Sequence, residues 1–210
     1  MKELPILFSG PMVRAILEGR KTQTRRIVKP TGAHHIFQFR GREEARGTDE
    51  PTGEWAWCRA ESVISEHIRC PYGKPGDRLW VRETHLAWWK LDEANPAGPR
   101  VFSHVAAYAA DGYELEPGER WIPSIHMLRA ASRITLEITD VRAERLQTIS
   151  WDDAIAEGIK DPRRAAVRID PIDGTVAQFR QLWDSLNAAR GHGWDANPWV
   201  WAIEFRRIEP

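Results

Sequence analysis

The stretch Gly19-Arg20-Lys21-Thr22-Gln23-Thr24-Arg25-Arg26 places a lysine, two threonines and three arginines within eight residues. It follows an apolar segment, residues 11–18, whose pattern predicts a two-turn helix that stops at Gly19. The basic segment therefore leaves a helix end directly, at a fixed place in the fold. Lys21 and Thr24 are three residues apart, so helical or turn-like backbone would bring both side chains to one side. From spacing alone, such a segment is also typical of solvated surface or of phosphate contacts.

Composition sets the class of protein. With 210 residues, 42% hydrophobic and 29% charged, the chain is predicted to form one soluble globular domain, residues 1–210. Thirty basic and thirty acidic residues cancel, so any binding of nucleic acid must come from a local patch such as residues 20–29. There is no long apolar run and no signal-peptide pattern, which indicates a cytoplasmic protein without a membrane partner.

Hydrophobic periodicity predicts short strands interspersed with short helices. Strands are predicted at residues 4–8, 78–83, 133–141 and 199–208, and helices at residues 150–156 and 176–187. Core blocks are expected at about 1–30, 71–89, 121–159 and 176–210. Three stretches without periodicity are interpreted as irregular insertions at about 31–70, 90–120 and 160–175, with a charged, Gly-rich loop at 41–53. This order favours an α+β fold, a small mixed β-barrel with short flanking helices, over a doubly wound parallel sheet.

The pattern Leu17-x-Gly19-x-Lys21-Thr22-x-Thr24-x-Arg26 resembles the signature of the ASCH domain, a relative of the PUA fold associated with RNA. Three further stretches fit that family in the same order: a Gly-Asp turn and strand at 75–81, a short helix with a glutamate at 146–158, and a closing strand at 200–205. Together they cover roughly half the chain, and the rest is similar to longer members found in phage and prophage genomes. The resemblance implies a PUA-like mixed β-barrel elaborated by insertions.

Some members of this family are amidohydrolases that remove the acyl group from N(4)-acetylcytidine and related nucleosides. The resemblance places their catalytic lysine, threonine and glutamate on Lys21, Thr24 and Glu157, and implies no cofactor. A threonine hydroxyl attacks an amide when a base removes its proton, and Lys21 could do so if its pKa fell well below about 10.4. Glu157 could orient the lysine or relay the proton. The same residues could also be ordinary: an exposed carboxylate at a helix end and a β-forming threonine.

Four further residues are predicted to bind the substrate, a nucleoside or RNA. Arg26 matches the family's arginine and could hold a phosphate or a pyrimidine carbonyl with its planar fork. Thr22 lies in the same segment, and Arg82 ends a strand predicted to border the pocket. Trp88 follows that strand and could stack on a base. Arg25 has no such support and is expected to be surface charge.

Three functions therefore remain open for the predicted cleft. The leading one is hydrolysis of the amide in an N(4)-acylated cytosine nucleoside. The second is non-catalytic recognition of RNA or of a modified base. The third is a ribonuclease, which lacks a visible histidine pair for acid and base.

A metal site is tested and set aside. Cys58, His67 and Cys70 are spaced as Cys-x8-His-x2-Cys, and His85 could be a fourth ligand. Zinc modules show tighter paired spacing. The sequence thus predicts no metal, and the two cysteines fit a reducing compartment.

Overall fold

The structure is a computed structural model of the chain, and it describes residues 1–29, 38–41, 54–59, 62–63, 68–161 and 171–208. The strands are β1 (Glu3–Leu7), β2 (Gln23–Ile27), β3 (Gln38–Gly41), β4 (Glu54–Arg59), β5 (Ser62–Val63), β6 (Ile68–Arg69), β7 (Arg78–Arg82), β8 (His85–Lys90), β9 (Val101–Tyr108), β10 (Thr135–Arg145) and β11 (Trp199–Ile208). The helices are α1 (Gly10–Leu17), α2 (Trp151–Ala156) and α3 (Pro171–Asn187). Strands with a few short helices confirm the predicted α+β class.

A five-stranded mixed sheet forms the centre, in the order β1-β7-β10-β11-β2. β1 and β7 are parallel, whereas the other neighbours are antiparallel. The long strands β10 and β11 pair over almost their full length, with a bulge between Ile138 and Asp140. β11 has its predicted bounds, whereas β10 begins two residues after its predicted start and runs four residues beyond its predicted end. β2 is an edge strand, and this position leaves one side of it open to a ligand.

The predicted barrel is open in the part of the chain that the structure describes, because the edge strands β1 and β2 share no backbone ladder there. Instead, Nη2 of Arg26 in β2 donates a hydrogen bond to the Leu7 carbonyl of β1 at 2.6 Å. The same guanidinium lies 5.3 Å from the centre of the Phe8 ring. One side chain spans only a narrow gap, so the sheet curls until its two edges nearly meet. α1 connects the two edge strands and packs inside the curl of the sheet.

Two apolar clusters cover the two faces of this sheet. The first fills the curl between α1 and strands β1, β7, β10 and β11, and includes Trp201, Ile203 and Phe205. The second lies between α2, α3 and the other face, where Phe179 and Trp183 pack on Val200. Side chains alternate between faces along a strand, so β11 contributes odd-numbered residues to one cluster and Val200 to the other. This packing holds α3 beside the open edge of β2.

The segments outside this sheet differ partly from expectation. β8 and β9 form an antiparallel hairpin within residues 85–108, where the sequence predicted an irregular insertion from residue 90. Within residues 121–127, Ile122 forms an isolated bridge with His85 at the start of β8, and Met127 is fully buried beside the amide of Glu83. α3 begins at Pro171, five residues before the predicted helix. Apart from Gly41 in β3, the predicted loop at 41–53 lies outside the described residues.

None of the helices in the described ranges is long and apolar enough to cross a membrane.

Candidate functional site

The backbone itself brings Lys21 and Glu157 together. The chain leaves α1 so that the amides of Arg20 and Lys21 both donate to the Ala15 carbonyl, at 2.8 and 3.0 Å. Lys21 then forms an isolated antiparallel bridge with Glu157, the residue that caps the C-terminus of α2. The positive φ of Gly158, 99°, fits this approach, since a Cβ there would lie 3.3 Å from Cβ of Lys21. The segment after α1 is therefore a bridge at Lys21 followed by the strand β2, and not the helical or turn-like backbone considered for residues 21–24.

Lys21 and Glu157 form a buried ion pair. Nζ of Lys21 donates to Oε2 of Glu157 at 2.7 Å, and to the carbonyls of Glu157 and Gln23 at 2.8 Å each. Lys21 is 2% exposed and Glu157 is 5% exposed, so Glu157 is not the exposed helix end that the alternative interpretation required. Burial lowers the pKa of Lys21. The charge of Glu157 opposes this shift, whereas the charges of Arg26 and Arg25 add to it.

Arg25 belongs to the same cluster, and its prediction as surface charge is wrong. The residue is 4% exposed. Its guanidinium lies 2.6 Å from Glu144, 3.3 Å from Asp153 and 3.3 Å from Glu157. Strand alternation directs the Arg25 side chain toward α2 and α3. The three carboxylates are distant from Arg25 in sequence and reach it only in the folded chain. A single guanidinium thus faces three carboxylates, and Glu157 is held from two sides by Lys21 and Arg25.

Thr24 and Arg26 lie on the opposite face of β2, toward the first apolar cluster. Thr24 is buried, and no described residue forms a hydrogen bond with its hydroxyl. Arg26 donates to the Leu7 carbonyl, but its buried Nε has no partner and no described carboxylate lies within ion-pair distance. Burial lowers the pKa of Arg26, although a guanidinium still keeps its charge at neutral pH. Within the described residues, this face therefore offers a hydroxyl without a hydrogen-bond partner and a cation without a carboxylate partner.

A cavity of about 300 Å³ wraps around the open edge of β2. It is lined by residues of α1, β2, the turn before β7, α2 and α3: Met12, Thr24, Arg25, Arg26, Ile27, Lys29, Tyr72, Glu157, Leu182, Trp183, Leu186, Asn187 and Arg190. Thr24, Arg26 and Glu157 of the predicted set thus border one space. Lys21 supports it from behind, through Glu157.

The backbone of β2 also faces this cavity. Hydrogen bonds from Phe205 to the Thr22 carbonyl and from Val28 to the Trp199 carbonyl show that even-numbered residues pair with β11. In an antiparallel ladder the intervening residues direct their N–H and C=O groups away from the partner strand. Those of Arg25 and Ile27 therefore point outward, where a planar polar ligand could exchange hydrogen bonds with them.

The other predicted binding residues lie elsewhere. Thr22 is exposed and borders a separate depression, next to Asp152 and Arg206. The guanidinium of Arg82 lies over the Trp80 ring, 4.8 Å from its centre, and does not line the cavity. Trp88 is 54% exposed on the β8–β9 hairpin and also lies outside the lining. The expectation that β7 ends near the site placed both residues too close to it.

Sequence reasoning missed several residues of the site. Tyr72 comes from a turn cluster and Arg190 from a 3₁₀ turn, and neither position carries a recognisable pattern. Asp153 lies in the first turn of α2, where it completes the capping box with Ser150, and it also contacts Arg25. Burial opposes its charge, yet hydrogen bonds from Ser150 and Gln23 and the charge of Arg25 lower the pKa of Asp153. Its double role follows only from the packing of α2 on β2.

Cys70, from the metal pattern considered above, is buried, and burial raises the pKa of its thiol to about 11. The described part of the chain contains no group of three side chains that could hold a metal ion. His67 and the side chain of Cys58 lie outside the described residues.

Comparisons with known proteins return two solved structures. One is protein EF3133 from Enterococcus faecalis V583, of family model DUF984, with 11% identity and a TM-score of 0.40 over 99% of this chain and 80% of that one. The other is an ASCH domain from Lactobacillus crispatus JV V101, with 10% identity and a TM-score of 0.39 over 98% of this chain and 79% of that one. The second bears the name of the family that the sequence motifs resemble. No protein-family model and no curated protein matches the chain.

Proposed function

We propose that the cavity beside β2 binds an N(4)-acylated cytosine nucleoside and hydrolyses its exocyclic amide. One observation carries this proposal: the unpartnered hydroxyl of Thr24 and the fixed carboxylate of Glu157 line the same cavity. A hydroxyl and a carboxylate beside one bound amide are the nucleophile and the proton acceptor that acyl transfer needs.

The contacts favour a revised division of roles between Lys21 and Glu157. Nζ of Lys21 already donates to three acceptors and does not line the cavity, so it is badly placed to take a proton from Thr24. Glu157 borders the cavity and is oriented by Lys21 and Arg25. We therefore assign proton transfer to Glu157 and a positioning role to the two cations.

In the proposed reaction, Oγ1 of Thr24 attacks the acyl carbon while Glu157 takes the hydroxyl proton. Arg26 donates to the oxygen on which negative charge develops. The bond between the acyl carbon and N4 then breaks, and Glu157 returns the proton to the departing amine. Water attacks the resulting threonine ester with Glu157 again accepting a proton. The bond between the acyl carbon and Oγ1 then breaks while Glu157 returns that proton to Oγ1, which releases the carboxylic acid and restores the Thr24 hydroxyl and the Glu157 carboxylate.

The edge of β2 supports a pyrimidine as the bound group. An outward N–H and C=O on the same residue suit the N3 acceptor and the N4–H donor of an acylated cytosine, which lie side by side. Tyr72 and Trp183 add aromatic surface to the same cavity. The same groups favour the second candidate, non-catalytic recognition of a modified base.

Incubation with N(4)-acetylcytidine, followed by chromatography for cytidine and acetate, tests the proposal. Thr24→Val keeps the shape of the side chain and should lower turnover by at least about a hundredfold. Thr139→Val makes the same change on an exposed residue outside the cavity and should leave turnover unchanged. Binding of N(4)-acetylcytidine without release of cytidine would favour the second candidate. Release of cytidine by Thr24→Val at the parental rate would exclude Thr24 as the nucleophile.

A further inference from the structure

Three cations line the cavity without a carboxylate partner in the described part of the chain. Arg26 contributes one from the strand, Lys29 a second just after β2, and Arg190 a third from the turn after α3. Lys29 and Arg190 are exposed side chains on two different walls. Arg25 differs from them, because three carboxylates surround it.

The balance of charge in the cavity is therefore positive. Among the described residues of the lining, Glu157 is the one carboxylate, and Lys21 and Arg25 already neutralise it. Cations that the protein leaves unpaired around a cavity attract an anionic ligand and focus its approach. A neutral nucleoside would leave the charges of Lys29 and Arg190 unused.

We propose that the ligand of this cavity is a cytosine nucleotide, whose phosphate is held by Lys29 and Arg190 at the mouth. The choice of cytosine rests on the proposed function, whereas the phosphate rests on the charge of the lining alone. The planar fork of Arg190 can donate two hydrogen bonds to phosphate oxygens, and Lys29 adds a compact second charge. The aromatic and apolar residues Tyr72, Leu182 and Trp183 leave room for the base deeper in the same cavity.

The size of the cavity favours a mononucleotide over a long RNA. A volume of about 300 Å³ is at the lower end for small-molecule sites. An internal phosphate of RNA presents the same chemistry as a terminal one, so a short cytosine-containing trinucleotide serves as the comparison. Preference for the trinucleotide would overturn the mononucleotide proposal and point to RNA.

Calorimetric titration of the full chain with cytidine, cytidine 5′-monophosphate and inorganic phosphate tests this proposal. The monophosphate should bind about tenfold more tightly than cytidine, as expected for a charge-assisted contact. Its affinity should fall as salt rises from about 50 to 200 mM, while that of cytidine stays constant. Arg190→Gln should remove most of the difference between the two ligands. Arg120→Gln, which removes an exposed arginine outside the cavity, should leave the difference intact.

Equal affinity for cytidine and its monophosphate would overturn the phosphate proposal, as would a preference that survives Arg190→Gln together with Lys29→Gln. The outcome is independent of catalysis, because only binding is measured. Tight, Arg190-dependent binding of the monophosphate by a protein that releases no cytidine would leave the phosphate site standing and refute the hydrolase. Turnover of N(4)-acetylcytidine by a protein that binds cytidine and its monophosphate equally would support the hydrolase and refute the phosphate site.

Discussion

Glu157 and Glu83 are two buried glutamates that the fold treats differently. Glu157 is 5% exposed and Glu83 is 1% exposed, and each is paired with cations. Glu83 pairs with Arg133, whose guanidinium also binds Asp111 and lies 3.8 Å from the centre of the Tyr108 ring. Glu157 pairs with Lys21 and Arg25 and borders the cavity beside β2. Glu83 borders none of the cavities described above.

The difference shows that burial and ion pairing do not by themselves mark a functional carboxylate. Burial raises the pKa of Glu83 in spite of Arg133, so Glu83 resembles a catalytic acid as closely as Glu157 does. A functional carboxylate also needs a space in which a substrate can reach it. Glu157 has such a space, which the hydroxyl of Thr24 also lines, whereas Glu83 lines neither of the two cavities described above.

The largest expected effect on stability comes from breaking the pair at Lys21. Lys21→Met leaves the carboxylate of Glu157 buried with Arg25 as its remaining partner. The free energy of unfolding should therefore fall by about 3–5 kcal/mol. Arg133→Met should cost less, about 1–3 kcal/mol, because Arg133 is 26% exposed and water already screens that pair. Urea unfolding of both variants measures the comparison.

A double variant sharpens this result. Lys21→Met combined with Glu157→Gln removes both charges and should recover part of the stability lost in Lys21→Met. If the double variant is as unstable as the sum of its parts, the two side chains are not coupled. That result would contradict a stabilising ion pair between Lys21 and Glu157.

A smaller effect is expected in the dependence of stability on pH, with opposite signs at the two clusters. The pKa of Asp153, beside Glu157, is lowered from 3.8, so its contribution is lost as pH falls below 3.8 through the folded pKa. The pKa of Glu83 is raised from 4.5, so its contribution is present below 4.5 and is lost as pH rises through the folded pKa. In a plot of the free energy of unfolding against pH, Asp153→Asn should reduce the slope below pH 3.8. Glu83→Gln should reduce the slope above pH 4.5.

Free energies of unfolding from about pH 3 to pH 6 check both signs. Asn at position 153 keeps an oxygen for the capping box with Ser150, so the helix start is preserved. A profile whose slope is unchanged by Glu83→Gln would mean that Glu83 titrates in the folded protein as it does in the unfolded chain.

Local patterns predicted much of this fold. The end of α1, strands β7 and β11, and α2 with its Ser150 cap follow from residues close together in the chain. The hairpin β8–β9 was missed because the Pro- and Gly-rich connection between its strands hides their pairing. In the described part of the chain the predicted barrel is open beside Arg26, whose side chain donates across the gap from β2 to β1.

The site was predictable only in part, because some of its contacts join residues that are far apart in sequence. Motif positions placed Thr24, Arg26 and Glu157 together, and the structure brings all three to one cavity. The burial of Arg25 depends on Glu144 and Glu157, which are 119 and 132 residues away in sequence. No local pattern reports such contacts, because they form only when the end of β10 and the end of α2 come together beside β2 in the folded chain. Thr22 and Trp88 were assigned from proximity in sequence, and strand alternation and the hairpin carry them elsewhere.

The most direct test compares Glu157→Gln with Glu83→Gln in turnover of N(4)-acetylcytidine. Both changes replace a buried, ion-paired carboxylate with an amide of the same shape, and unfolding curves will confirm that each variant is folded. Glu157→Gln should lower turnover by about a hundredfold or more, since it removes the proton acceptor, with little change in substrate affinity. Glu83→Gln should hydrolyse at the parental rate. Parental turnover by a folded Glu157→Gln variant would contradict the account.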